Sequence, residues 1–244
     1  FFGKTVPQEP SPERLTATFF KNAKTGVTVM DWETGASGLA AVWARENTRA
    51  SIFEAMQRRE TYATTGPRMA VRFFGGWEFT ESDTKTRMPA EAGYRKGVPM
   101  GGELKAAPAG RVPTFLVAAL KDPMGANLDR YQIVKGWMDA KGKLHEKVYD
   151  VAWGGSRRHG VNGKLPAVGS TVDVGNATYS NTIGAPELIA VWRDPDFDPR
   201  QPAFYYGRVI EIPTPRWTAF DANRFGTKPL PGTRMTIQER AFTS

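Results

Sequence analysis

Lys147-Val148-Tyr149-Asp150-Val151-Ala152-Trp153 is the stretch on which the fold turns. Successive side chains of a strand point to opposite faces, so Tyr149, Val151 and Trp153 share one face and Val148, Asp150 and Ala152 the other. A face carrying Asp150 is wet, and a strand with one wet face belongs to an antiparallel sheet rather than a parallel one buried on both sides. Working outward, short runs rich in Val, Ile and aromatics predict further strands at Met69 to Phe74, Thr114 to Leu120, Tyr131 to Met138, Ser170 to Val174, Leu188 to Trp192 and Phe204 to Ile212. Asp122-Pro123-Met124-Gly125, Asp139-Ala140-Lys141-Gly142 and Asp194-Pro195-Asp196 supply turn chemistry between them. The expectation is a mostly β protein, an antiparallel β-sandwich.

One helix is expected before the strands. Asn47 and Thr48 supply an N-cap, Ile52, Phe53, Ala55 and Met56 follow at helical spacing, and Arg58 and Arg59 place cations at the C-terminal end of the dipole. The helical reading takes in the whole of residues 38 to 59. Residues 1 to 60 are read as a connecting segment and this helix, 61 to 212 as the sandwich, and 213 to 244, with Pro213, Pro215, Pro229 and Pro231, as a wrapping tail. The front reads FFGKTVPQEPSPER, with neither an initiating Met nor a signal-peptide pattern, so the chain is expected to be cut there and to have packing partners beyond it.

Composition removes several function classes. With no cysteine, disulfides, thiolate metal sites and a Cys nucleophile are excluded. There is no run of about 18 apolar residues, so no membrane-spanning helix is available. The net charge of +8 favours anionic partners, but the basic residues are scattered and lack the stripe of cations and aromatics of a nucleic-acid groove.

Candidate chemistry is sparse. His145 and His159 sit in polar, loop-like surroundings and read as loop anchors rather than ligands. Asp194, Asp196 and Asp198 resemble the start of a calcium loop, but Pro195 and Pro199 interrupt it and the central Gly and closing Glu are missing, so a turn is expected. No Gly-x-Ser-x-Gly elbow is present, and Gly75-Gly76 and Gly101-Gly102 read as bulges or turns rather than phosphate cradles. Arg216 and Trp217 stand out: two flanking prolines stiffen the loop that presents a cation beside an aromatic plane, a pairing suited to an anionic or planar ligand. The alternative is that Trp217 docks the tail onto the core while Arg216 pairs with a carboxylate.

Six stretches, in order, carry a resemblance: Gly38-Leu-Ala-Ala-Val-Trp-Ala-Arg-Glu-Asn-Thr-Arg49, Arg58-Arg-Glu-Thr-Tyr-Ala-Thr-Thr-Gly-Pro-Arg68, Arg72-Phe-Phe-Gly-Gly-Trp77, Asp129-Arg-Tyr-Gln-Ile-Val-Lys-Gly-Trp137, Asn181-Thr-Ile-Gly-Ala-Pro-Glu-Leu188 and Glu211-Ile-Pro-Thr-Pro-Arg-Trp217. The chain resembles the C-terminal half of a large bacterial family related to the PHP phosphoesterases, named for polymerase and histidinol phosphatase. The resemblance implies an N-terminal (β/α) barrel, outside this chain, whose His and Asp side chains hold Mn, Fe or Zn ions and hydrolyse a phosphate ester with a metal-bridging hydroxide. On that mapping residues 38 to 59 close the barrel and the rest is a β-rich extension. None of the ligand motifs lies here, so the chain is expected to be inactive alone and to contribute Arg216 and Trp217, then Arg68 and Trp77, to the entrance for an anionic substrate. A non-catalytic sandwich that binds a glycan, a lipid headgroup or a protein is the competing expectation. The residues leave the compartment, bacterial periplasm or cytoplasm, open.

Overall fold

The computed structural model describes residues 10–34, 38–105 and 107–244. In chain order its elements are β1 (Thr18–Lys21), β2 (Thr28–Met30), α1 (Asp31–Thr34), β3 (Leu39–Val42), α2 (Arg49–Gln57), β4 (Thr61–Thr64), β5 (Ala70–Gly76), α3 (Pro89–Lys96), β6 (Gly97–Pro99), β7 (Thr114–Leu120), β8 (Leu128–Met138), β9 (Leu144–Trp153), β10 (Glu187–Arg193), β11 (Ala203–Glu211), β12 (Thr214–Pro215), α4 (Trp217–Phe225), β13 (Thr236–Ile237) and β14 (Arg240–Thr243). Two antiparallel sheets dominate, a six-stranded one in the order β3-β4-β14-β11-β8-β9 and a four-stranded one in the order β10-β7-β5-β6.

The sheets face each other across one apolar core. From the smaller sheet come Val71, Phe73, Phe115, Val117, Ala119 and Leu188; from the larger come Leu128, Tyr131, Ile133, Val209 and Ala241. These positions follow the two-residue period within each strand, and most of them lie in stretches that the sequence reads as strands. The four-stranded sheet is apolar on its other face as well, where Phe74 and Leu116 meet Ala92 of α3 and the neighbouring Phe79. Gly93 lets that helix come close, since a Cβ there would collide with the Phe74 ring. The result is a β-sandwich with a helix laid on one side.

Several expectations need correction. The helix is confined to Arg49–Gln57, where the Thr48 hydroxyl accepts from Ser51 N at 3.3 Å, while Leu39–Val42 is a strand paired with β4. The sheet therefore starts at Leu39, and α2 lies between two of its strands rather than ahead of the sandwich. The tail does more than wrap: β14 inserts between β4 and β11, with Ala241 fully buried. No strand forms at Ser170 to Val174, where Asp173 and Thr178 make only an isolated bridge. The alternation of β9 breaks at a bulge, because Gln132 pairs with Asp150 but Tyr131 pairs with Ala152, so that Val151 and Ala152 both pack against the core. Gly75 and Gly76 are neither bulge nor turn but lie in unbroken ladders with β6 and β7.

Of the expected connecting segment, residues 1–9 and 35–36 lie outside the described residues. The part described forms the β1-β2 hairpin and α1 and packs on the tail, with Arg14 bridging to Asp221 of α4 at 3.0 Å. Among the described residues no helix is long and apolar enough to cross a membrane.

Candidate functional site

Pro213 precedes β12 and Pro215 ends it; the strand pairs with β13, and the chain turns from it directly into α4 at Arg216. The backbone there is clamped from both sides: Arg216 N donates to Met235 O and Ala219 N to Arg216 O, each at 2.9 Å. The guanidinium is clamped as well. Its Nη2 donates to the carbonyl of Trp32 at 2.6 Å, and its Cζ lies 5.2 Å from the Trp217 ring centre and 5.9 Å from that of Trp32. A planar cation held near two indoles by π contact and one hydrogen bond has little freedom left. Among the described residues Nη1 has no partner and is buried, and the same holds for the indole Nε1 of Trp32. An unmatched buried donor costs about 1 to 3 kcal/mol, so two at one place are worth explaining.

These groups border a cleft of about 650 Å³ lined also by Glu33, Arg234, Gln238 and Arg240. Burial, and then the Arg234 charge, pull the Arg216 guanidinium below its ordinary value, with Glu239 acting the other way. Three guanidinium groups and the Glu33 carboxylate thus meet around one cleft. Sequence reasoning found Arg216 through its proline frame but missed Trp32, Arg234 and Arg240, which no local signal joins to it.

The four expected entrance residues are not gathered in one place. Trp217 sits beneath Arg14, whose Cζ lies 4.3 Å from its ring centre, so the aromatic plane lining the Arg216 cleft is that of Trp32. Arg216 pairs with no carboxylate among the described residues, unlike the alternative expected for it; its partner is a backbone carbonyl. Arg68 is exposed just before β5, its amide donating to Asp122 at 2.7 Å. That bond is the main reason the Asp122 carboxyl lies below its usual range. Trp77 follows the far end of β5, edge-on to Phe197 at 6.0 Å. Seven strand residues separate the two, on the order of 20 Å.

The remaining candidates are anchors. His145 Nε2 lies 2.8 Å from Asp139 Oδ2, bracing the turn between β8 and β9, and its ring stacks on Trp137 at 5.2 Å. His159 meets Trp153 edge to face at 4.9 Å. The three aspartates form a ladder of ion pairs: Asp194 with Lys135 at 2.7 Å, Asp196 with Lys147 at 2.5 Å and Asp198 with Arg200 at 3.0 Å. Among the described residues no group of three or more His, Cys, Asp or Glu side chains could hold a metal ion.

A second cavity, of about 690 Å³, opens at the end of the sandwich where β6 and β11 diverge, lined by Phe73, Val98, Leu104, Phe115 and Tyr206. Gly75 also lines it, where a Cβ would press on Leu104 and Phe115 at 3.3 Å.

Residues 1–244 match a family described as a protein of unknown function, DUF3604. The chain belongs to that family. No curated protein and no solved structure matches it. The family assignment embraces the whole chain, both sheets and the Arg216 cleft included, and names no activity for any of them.

Proposed function

We propose that this chain is the β-rich, non-ligating half of a metal-dependent phosphoesterase and joins a metal-binding barrel of the same protein through α2. The observation that carries this reading is the outer face of α2. Only Ala55 of the helix is buried, while Phe53 and Met56 stand 59% and 56% exposed beside Ile52. Side chains of this kind on adjacent turns are what one domain offers another to cover. The resemblance implies a barrel N-terminal to this chain, and that expectation supports α2 as the face it would cover.

The divalent ions of that reaction need ligands that the described residues do not provide, so they belong to the barrel. What this half supplies is admission of an anionic substrate, with Arg216 as its fixed cation and Trp217 as one of the rings that hold it. Arg68 and Trp77, at the two ends of β5, are separate candidates for contact with the leaving group.

The test uses the intact protein with its upstream segment. Stoichiometric Mn, Fe or Zn together with phosphate-ester hydrolysis is expected, and Arg216→Ala should raise KM or change substrate preference. Absence of both metal and turnover would sink the reading. A second reading, a non-catalytic binding module, is favoured by the 690 Å³ cavity with its aromatic and aliphatic lining. It predicts an intact protein without metal that binds an apolar ligand at Phe73 and Phe115.

A further inference from the structure

The geometry around Arg216 points to a binding site for a tetrahedral oxyanion, phosphate or sulfate, free or as a monoester. Arg216, Arg234, Arg240 and the Trp32 indole reach the cleft from separate places: the start of α4, the loop before β13, β14 and α1. Arg234 and Arg240 are exposed, and neither they nor Arg216 is in an ion pair among the described residues. Cations left unpaired around one concave site have no intramolecular reason to be together, since their mutual repulsion opposes it.

The acidic groups nearby are fewer and are held by other partners. Glu33 lines the cleft, but one of its oxygens accepts the Met30 amide at 2.8 Å. Glu239 acts on Arg216 from beyond the lining, and one of its oxygens takes the Thr65 hydroxyl. Three guanidinium groups line the opening with the Glu33 carboxylate, and Glu239 acts from beyond the lining, so the cations outnumber the carboxylates around it.

The donors select the ligand. A planar carboxylate offers its oxygens in one plane, whereas guanidinium and indole groups converging from four segments suit an acceptor with oxygens in several directions. Arg216 Nη1 and Trp32 Nε1, on two residues that line the cleft, are buried donors without an acceptor among the described residues, and such a group would offer them one. The cleft, at about 650 Å³, is roomier than a bare phosphate requires, so an ester with an organic substituent fits the space. The monoester form of this ligand rests on the hydrolase reading; the oxyanion site rests on this chain alone.

The chain by itself is titrated with inorganic phosphate, sulfate and phenyl phosphate against sodium chloride at matched ionic strength. The Trp32 indole N–H resonance, assigned with Trp32→Phe, is the probe. The site predicts a saturable shift with the oxyanions and not with chloride, weakened about tenfold or more in Arg234→Ala or Arg240→Ala. Both side chains are exposed, so those variants keep the fold and the spectrum elsewhere. Tighter binding of phenyl phosphate than of phosphate assigns the ester form. No saturable shift with any oxyanion, or affinities unchanged in both variants, overturns the site. If the hydrolase reading alone is wrong, oxyanion binding persists in this chain while the intact protein shows no metal and no turnover.

Discussion

Tyr131 of β8 passes over Gly207 of β11 to reach the opposite sheet, where its hydroxyl donates to the Arg72 carbonyl at 3.1 Å. A Cβ on Gly207 would collide with that hydroxyl, and Tyr131 itself has no exposed surface. A phenol buried this deeply resists ionisation, and burial pushes its pKa far up. One residue without a side chain thus makes room for the largest fully buried side chain in the core.

Gly207→Ala should destabilise the chain by about 1 to 3 kcal/mol, because the ring or the strand must shift to admit the methyl. Tyr131→Phe, which keeps the ring and removes the hydroxyl, should cost about 1 kcal/mol or a little more, since the Arg72 carbonyl then loses a partner. Urea unfolding of both variants checks this. A glycine replacement that costs nothing would mean that the two strands are not held together at this point.

Glu211 should give the chain an alkaline weakness. It is 1% exposed, its Oε1 has no hydrogen-bond partner, and burial followed by Glu239 and Asp122 raises its carboxyl from 4.5 to about 8. The folded state therefore holds the proton more tightly than the unfolded chain does. Its contribution to stability is fully present below 4.5, declines as pH rises from there, and levels off above about 8. The total decline is on the order of 5 kcal/mol at 1.36 kcal/mol per unit. Glu211→Gln should flatten this slope in denaturation series across that window; an unchanged slope would show that another group sets it.

The pair of Lys135 and Asp194 is a buried ion pair and should be sensitive to half-removal. Lys135 is 3% and Asp194 2% exposed, their atoms lie 2.7 Å apart, and the Tyr205 hydroxyl donates to the same Asp194 oxygen at 2.6 Å. Lys135→Met leaves the carboxylate buried with only Tyr205 and its backbone neighbours, and should cost on the order of 3 to 5 kcal/mol. A double replacement of Lys135 and Asp194 by apolar residues should recover much of the loss. Thermal or urea unfolding of the single and double variants decides it.

Thr48→Ala should lower stability by about 1 kcal/mol or less by removing the cap that satisfies Ser51 N. Phe53→Asp, at an exposed position of the same helix, should leave this chain's unfolding unchanged and lower the stability of the intact protein if α2 docks there. Equal unfolding of wild type and Phe53→Asp in the intact protein would remove α2 from the interface.

How much could be read beforehand differs from element to element. Thr114 to Leu120 was legible to the residue, because a short apolar run ending at a proline turn needs no distant information. The cap at Thr48 was legible for the same reason. The β assignment of Leu39–Val42 was not: Leu39, Ala40 and Val42 fit a helical face as well as a strand, and the pairing with Thr61–Thr64 across α2 decided it. The strand Arg240–Thr243 is too short to announce itself and is made by its neighbours on both sides.

What the sequence determined by itself is what depends on neighbours along the chain: the strand character of most strands, the turns, the absence of thiol chemistry and the proline frame that presents Arg216. Only the tertiary structure decided what depends on closure of long loops. It brought Trp32 to Arg216 across 184 residues, placed the last strand inside the six-stranded sheet and set the bulge that turns Val151 and Ala152 toward the core. Backbone preference acts over a few residues and can be read locally. Which distant side chains meet is set by the packing of one sheet on another, and that information is spread over the whole chain.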